Sequence, residues 1–212
     1  MRRTMVDTQI RVNDVTDFDI IHAFLSVPRE LFVPKSAAGI AYSEVEIKTS
    51  AGRALWTPRD IAKLLAAAEP KSTDLALYVG AGAGYEAGVM SFAVDTAIAL
   101  EESADLVDQM TERFGEAALD SAVAVEGSLA AGLPDQAPFD LILIGGMVES
   151  LEQSWADQLA DEGRLAVVVQ VDNDLGKARI YTKSGDTLSF RDVFDCRPPK
   201  FAEFDAAPAF EF

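Results

Sequence analysis

Leu75-Ala76-Leu77-Tyr78-Val79-Gly80-Ala81-Gly82-Ala83-Gly84-Tyr85 is the stretch of this 212-residue chain that decides its fold. The apolar run ends at three alternating glycines, and a helical pattern follows from Glu86 to Ser91. The stretch therefore predicts a strand, a tight loop and a helix. Glycine lets a backbone approach a ligand closely, and the N-terminus of the following helix offers unpaired N–H groups. We expect a polar ligand at this loop.

The spacing of the glycines discriminates between nucleotide-binding loops. A dinucleotide-binding loop places its third glycine where this chain has Tyr85, so the spacing argues against NAD. Gly-x-Gly-x-Gly resembles the loop of S-adenosylmethionine (SAM)-dependent methyltransferases, in which an acidic residue ends the next strand. Here the apolar run 95–100 ends at Glu101, 21 residues after Gly80, where a carboxylate can accept hydrogen bonds from both ribose hydroxyls. The alternative is a glycine-rich turn that binds no ligand.

Composition limits the class of protein. Hydrophobic residues make up 49% of the chain, enough for the core of one large α/β domain. No window approaches about 18 uninterrupted apolar residues, and the N-terminus has no signal-peptide pattern, so we expect a soluble, cytoplasmic protein without a membrane partner. A net charge of −17 argues against nucleic acid as a partner. One cysteine, Cys196, and one histidine, His22, exclude an internal disulfide and a structural zinc site, and no metal is expected.

The N-terminal part predicts short helices and a hairpin arm. Helices are expected over 4–12 and 17–26, the second capped by Asp14 or Thr16, and an edge strand or hairpin arm over 41–48.

The pattern that follows predicts alternating helices and strands. Thr57 and Pro58 are the expected N-cap and first residue of a helix that runs to Ala68. The later elements are strand 75–79, helix 85–93, strand 96–101, helix 103–114, strand 122–126, a short helical turn near 128–131, strand 139–144, helix 152–160, strand 164–171 and an antiparallel pair over 178–183 and 187–194. Such alternation means a largely parallel sheet covered by helices on both faces. The four phenylalanines of the tail 201–212 are expected to pack across the domain.

Longer phrases carry a more specific resemblance, to the protein-L-isoaspartate O-methyltransferases. The phrases that match that family in order are Met5-Val6-Asp7-Thr8-Gln9-Ile10-Arg11, Val27-Pro28-Arg29-Glu30-Leu31-Phe32-Val33-Pro34, Ala41-Tyr42, Thr57-Pro58, the glycine loop, Leu100-Glu101, 137–142 and 158–165. The resemblance spans residues 5 to about 171. It implies a Rossmann-like SAM-dependent methyltransferase fold with a mostly parallel seven-stranded sheet. An N-terminal helical annex (1–57) would precede the SAM-binding domain (58–212).

The resemblance also implies a reaction. Its members transfer a methyl group from SAM, the expected cofactor, to the free carboxylate of isoaspartyl residues in damaged proteins, the expected partners. Because a carboxylate with a pKa of about 4 is already ionised, this transfer needs no general base. By resemblance the cofactor-binding residues are Tyr78, Gly80, Ala81, Gly82, Gly84, Tyr85, Glu101, Glu102, Gly127 and Ser128. The segment before Pro58 would line the substrate entrance, with Trp56 and Thr57 as the candidate catalytic residues.

Three residues depart from the family's pattern. Tyr78 replaces an acidic residue before the glycine loop, Trp56 replaces a serine of the substrate loop, and Ser128 replaces an aspartate on the adenine side. Thr57 is either a helix cap or a hydroxyl for the substrate, and Trp56 is either an aromatic plug on the core or a lid over the sulfonium. Three hypotheses follow: an active isoaspartyl methyltransferase, a SAM-binding protein that has lost repair activity, and a methyltransferase for another carboxylate or small molecule.

Overall fold

A computed structural model of the chain describes residues 1–50, 52–172, 174–201 and 204. Seven strands form the central sheet: β3 (Leu75–Val79), β4 (Thr96–Glu101), β5 (Ala122–Glu126), β6 (Phe139–Val148), β7 (Leu159–Asp172), β8 (Leu175–Ser184) and β9 (Thr187–Cys196). A separate two-stranded hairpin consists of β1 (Ile47–Lys48) and β2 (Ala54–Leu55). The central sheet has the order β5-β4-β3-β6-β7-β8-β9.

The strand order creates a switch point between β3 and β6. Strands β3, β4 and β5 are added in one direction, whereas β6 and β7 continue in the other, and all five are parallel. Strands β8 and β9 are antiparallel. In the register of β3 and β6, Val79 lies opposite Ile144, so Gly80 and Gly145, which follow them, are neighbours. Ligands of open α/β sheets bind at such a point, beyond the carboxyl ends of the strands.

Helices cover both faces of the sheet. They are α1 (Arg2–Met5), α2 (Phe18–Ser26), α3 (Pro58–Ala68), α4 (Tyr85–Met90), α5 (Ala104–Glu116) and α6 (Gln153–Asp157). One apolar core joins the sheet to the first five helices, and a second joins its other face to α6, Phe201 and Phe204. None of the helices in the described part of the chain has the length and the apolar run that a membrane crossing requires.

The sheet and its order of elements confirm the predicted fold class, and several boundaries differ from expectation. Asp17 caps α2, because its carboxylate accepts the Ile20 N–H at 2.9 Å; the prediction of Asp14 or Thr16 is wrong. The predicted helical turn near 128–131 is a single hydrogen-bonded turn, in which the Gly132 N–H donates to the Ser128 carbonyl at 3.1 Å. α6 is shorter than expected, since Leu159 already pairs with Phe139 and begins β7. Of the tail's four phenylalanines, Phe201 and Phe204 are buried, and the other two, in 205–212, lie outside the described residues.

The thiol of Cys196 gives a prediction that tests the packing of β9. Cys196 lies opposite Gly176 on β8, and burial raises its pKa to about 12. Because the thiolate is the reactive form, the native protein should react with a thiol reagent at about pH 8 at least about a hundredfold more slowly than the unfolded chain. Stopped-flow absorbance with and without denaturant measures both rates. Equal rates would contradict this packing.

Candidate active site

The glycine loop connects β3 to α4 at the switch point. The N–H groups of Gly80 and Ala81 donate to the Leu100 carbonyl at 3.0 and 3.1 Å, which fixes the loop to the end of β4. Gly82 and Gly84 have φ values of +56° and +93°, a conformation that side chains rarely adopt. Glycine is therefore required for the path of this loop, and the predicted strand, loop and helix are present.

Glu101 ends β4 directly beside this loop, and its side chain is only 1% exposed. Its Oε1 accepts the Gly82 N–H at 2.9 Å, and its Oε2 accepts the Glu102 N–H at 3.1 Å. Arg53 donates to the same carboxylate, from Nε to Oε1 at 2.7 Å and from Nη2 to Oε2 at 3.4 Å. The acid predicted from the sequence thus lies against the glycine loop, and the guanidinium of Arg53 is its counter-charge.

Arg53 and Phe201 lie across the glycine loop. A methyl group built on Gly82 would lie 2.9 Å from Cβ of Arg53, and one built on Gly146 would lie 2.6 Å from the Phe201 ring. A methyl group on Gly80 would collide with the same ring. The guanidinium carbon of Arg53 is 4.9 Å from the centre of the Phe201 ring, so the two side chains also contact each other. Together they cover the surface of the loop that a ligand would approach.

The backbone of the segment before Pro58 is held by hydrogen bonds with two buried charged residues, Arg29 and Glu86. Trp56 is the residue after β2. Its backbone carbonyl accepts a hydrogen bond from Nη2 of Arg29 at 2.5 Å, and its backbone N–H donates to Oε1 of Glu86 at 3.0 Å. Its indole N–H donates to the carbonyl of Gly145 at 2.8 Å, and the side chain is 1% exposed. The ring is therefore a plug in the core beside the switch point.

Thr57 caps α3, because its hydroxyl accepts the Asp60 N–H at 3.3 Å. This is the first of the two roles considered for it. A capping hydroxyl oxygen can still donate its proton, so the contact by itself leaves a substrate role as a prediction.

The remaining predicted residues surround the loop at different depths. Tyr78 is buried in β3 against Gly145, and burial raises the pKa of its phenol. The ring of Tyr85 lies among Phe24, Phe32 and Arg29, so only its backbone belongs to the loop.

The loop after β5 completes the predicted set. Gly127 donates its N–H to the Glu101 carbonyl at 2.9 Å. The side chains of Glu102 and Ser128 accept the N–H groups of Leu129 and Ala131. These contacts bring the loops after β4 and β5 together at one end of the sheet.

Sequence reasoning did not assign a site role to four residues: Arg29, Arg53, Glu86 and Phe201. Arg29 and Glu30 are adjacent charged residues of one family phrase, and the sequence does not show that Arg29 is buried and Glu30 exposed. Arg53 and Phe201 gave no signal either, because their contacts with the glycine loop join distant parts of the chain.

Two features of the site suit an adenosyl ligand: the backbone of the glycine loop and the carboxylate of Glu101. Three glycines leave three positions of the loop without side chains, so a ligand could approach its backbone closely, and Glu101 stands at the tip of the neighbouring strand. A cavity of about 230 Å³ is lined by Lys48, Arg53 and Lys200, among others, and residues 80–84 are not part of its lining. Its volume is smaller than the roughly 300 to 1,000 Å³ of ordinary ligand sites. Arg53 and Phe201, by contrast, lie directly against Gly82 and Gly80 of the loop.

This strand order, with a glycine loop at the switch point and an acid at the end of the next strand, defines a Rossmann-like SAM-dependent methyltransferase. The family model described as protein-L-isoaspartate(D-aspartate) O-methyltransferase (PCMT) matches residues 2–197. The chain belongs to this family. The predicted family is thereby confirmed, and SAM is the family's methyl donor.

Individual relatives agree with this assignment. The protein-L-isoaspartate O-methyltransferase of Methylorubrum extorquens (strain PA1) is 30% identical over 90% of this chain and 83% of its own length. A solved protein-L-isoaspartate O-methyltransferase has a TM-score of 0.83 at 22% identity, over 95% of this chain and 66% of that one. A structure from Plasmodium falciparum assigned to the same enzyme type, in complex with S-adenosyl-L-homocysteine, has a TM-score of 0.76 at 21% identity, over 94% and 97%. The two structures show that the fold is shared.

Proposed function

We propose that this protein transfers the methyl group of SAM to the free carboxylate of isoaspartyl residues in damaged proteins. The observation that carries the proposal is the pairing of the glycine loop with Glu101 at the switch point, in a chain that matches the family over residues 2–197. The net charge of −17 supports a protein acceptor over a nucleic acid.

The residues of the site are suited to positioning rather than to proton transfer. SAM supplies a methyl group on a positively charged sulfur that is a good leaving group. Glu101 would accept hydrogen bonds from the ribose, and the backbone of the glycine loop would support the methionine end. The buried ring of Trp56 excludes water beside Gly145. His22 is exposed between Phe18 and Phe92, which agrees with a reaction that needs no base.

Incubation with labelled SAM and an isoaspartyl peptide tests the proposal. The matched control is the same peptide with a normal aspartate, so that the two substrates differ only in the linkage of one residue. We expect a base-labile methyl ester on the isoaspartyl peptide alone. No ester above the aspartyl control would overturn the proposal.

A second candidate function is SAM binding without repair. The buried position of Trp56, where the family has a serine, favours it, because an indole cannot replace a small hydroxyl in contact with a substrate. Calorimetry with S-adenosylhomocysteine, combined with the methyl-ester assay, separates the two candidates. Binding without methyl-ester formation supports the second, and binding with ester formation supports the first.

A further inference from the structure

We propose that Arg53 and Phe201 form an internal gate on the cofactor site, and that SAM binds only when both side chains have moved off the glycine loop. The inference rests on the proposed function only in placing SAM at this loop. It adds that the chain occupies its own cofactor site and competes with the cofactor for it.

The hydrogen bonds of Glu101 make the competition explicit. A carboxylate has about four lone-pair sites, and in this structure four N–H groups already donate to it: two from Arg53 and one each from Gly82 and Glu102. The two backbone donors are fixed by the loop and by β4. A ribose diol would bring two further donors, so it can bind Glu101 only in place of the guanidinium of Arg53.

The Phe201 ring blocks the same surface by volume. It is 2% exposed and lies against the backbones of Gly80 and Gly146, which are on the two sides of the switch point. A ligand that follows the glycine loop from Glu101 toward β6 would have to share this space with the ring. Two close-packed groups cannot occupy one volume, so the ring must leave first.

The backbone of the segment that carries this ring is joined to the end of β6. Residues 199–201 make a single parallel bridge to the end of β6: Met147 donates to the Pro199 carbonyl at 2.7 Å, and Phe201 donates to the Met147 carbonyl at 2.9 Å. Lys200 pairs with Glu149 at 3.4 Å on the partly exposed rim. Separation of this segment breaks that bridge and uncovers the Phe201 ring, which also contacts Phe204, while the pairing of the seven strands stays intact.

The gate also accounts for the buried charge when no cofactor is bound. An unpaired carboxylate as buried as Glu101 would be costly, and Arg53 supplies its counter-charge. Stacking on Phe201 couples the two parts of the gate, since the guanidinium lies over the ring. The apparent association constant for SAM is then the intrinsic constant multiplied by the fraction of molecules in which the gate is open.

Calorimetric titration of the full chain with S-adenosylhomocysteine tests this coupling in the variant Phe201→Ala. We expect binding about tenfold tighter than in the unaltered protein, because the ligand no longer displaces a buried ring. Phe190→Ala is the matched control, since it removes an exposed phenylalanine on β9 that contacts Arg179 and Tyr181, and its affinity should be unchanged. Unchanged or weaker binding in Phe201→Ala would overturn the gate, and so would a lack of binding in both proteins.

Proteolysis of the unaltered protein gives a second readout that needs no variant. If the ligand displaces the segment, trypsin should cut the Lys200–Phe201 bond faster when S-adenosylhomocysteine is present, and mass spectrometry follows the fragment that begins at Phe201. Slower cleavage would mean that the segment closes over the ligand, which would overturn the proposal. The methyl-ester assay is independent of both measurements: binding that opens the gate without ester formation would leave the gate standing and remove the proposed function.

Discussion

Arg29→Ala should lower the free energy of unfolding by about 3 to 5 kcal/mol, as expected when one partner of a buried charged network is removed. Arg29 is 0% exposed. Its Nε donates to the Ala41 carbonyl at 2.8 Å and its Nη2 to that of Trp56, while its guanidinium lies 4.6 Å from the centre of the Tyr85 ring. Alanine would leave both carbonyls without these donors and would remove the packing on Tyr85. Urea unfolding followed by circular dichroism measures the loss.

The loss should depend on pH because of Glu86. Burial raises the pKa of this carboxyl, and the positive charge of Arg29 is the main opposing influence. A carboxyl whose folded pKa lies above its unfolded pKa takes up a proton on folding, so its contribution to stability falls as pH rises through the folded pKa. Without Arg29 that pKa rises further. The destabilisation should therefore be larger at about pH 8 than at about pH 5.

Arg11→Ala is the matched control for this prediction. Arg11 is an exposed arginine that pairs with Asp7 at 3.3 Å, and removing an exposed pair should change stability by no more than about 0.5 kcal/mol. Arg29→Lys should recover part of the stability, since it restores the charge without the forked donor. A loss below about 1 kcal/mol in Arg29→Ala, or a loss independent of pH, would contradict the role assigned to the network.

Glu101→Ala should weaken S-adenosylhomocysteine binding by about 1 to 3 kcal/mol, roughly 5-fold to 150-fold in Kd, because the ribose loses a charged acceptor. The same change frees Arg53 from the carboxylate and so opens part of the gate, which offsets some of the loss. Measuring the substitution in the Arg53→Ala background removes this offset, because no guanidinium competes for Glu101 in either protein of that comparison, and the loss should be larger there. Titration calorimetry gives Kd in both backgrounds.

Glu126→Ala is the control for Glu101→Ala. Glu126 ends β5 directly opposite Glu101 in the sheet register and is exposed, so the two residues share a type and an edge of the sheet but differ in their contacts. Its removal should leave the affinity unchanged. An equal loss in the two variants would point to general charge effects, and no loss in Glu101→Ala would place the cofactor elsewhere.

Much of the fold follows from local signals. The apolar run 75–79 and the glycines after it predict β3 and its loop, and Thr57-Pro58 predicts the beginning of α3, because glycine and proline act on their own backbone. The prediction of α6 extended the helix to residue 160, although Leu159 pairs with Phe139 in the sheet. Short apolar segments do not show from sequence alone whether strand pairing or helical bonding will satisfy their backbone.

The sequence by itself determined the strand, loop and helix at residues 75–85, the acid at 101 and the family, since these depend on residues near one another or on phrases in a fixed order. Only the tertiary structure decided that Arg53 reaches Glu101, 48 residues away, that Phe201 lies on Gly80 and Gly146, and that Arg29 and Glu86 hold Trp56. The physical reason is that the packing of the whole chain brings these distant groups together, and pairing a buried charge is worth enough to fix their positions.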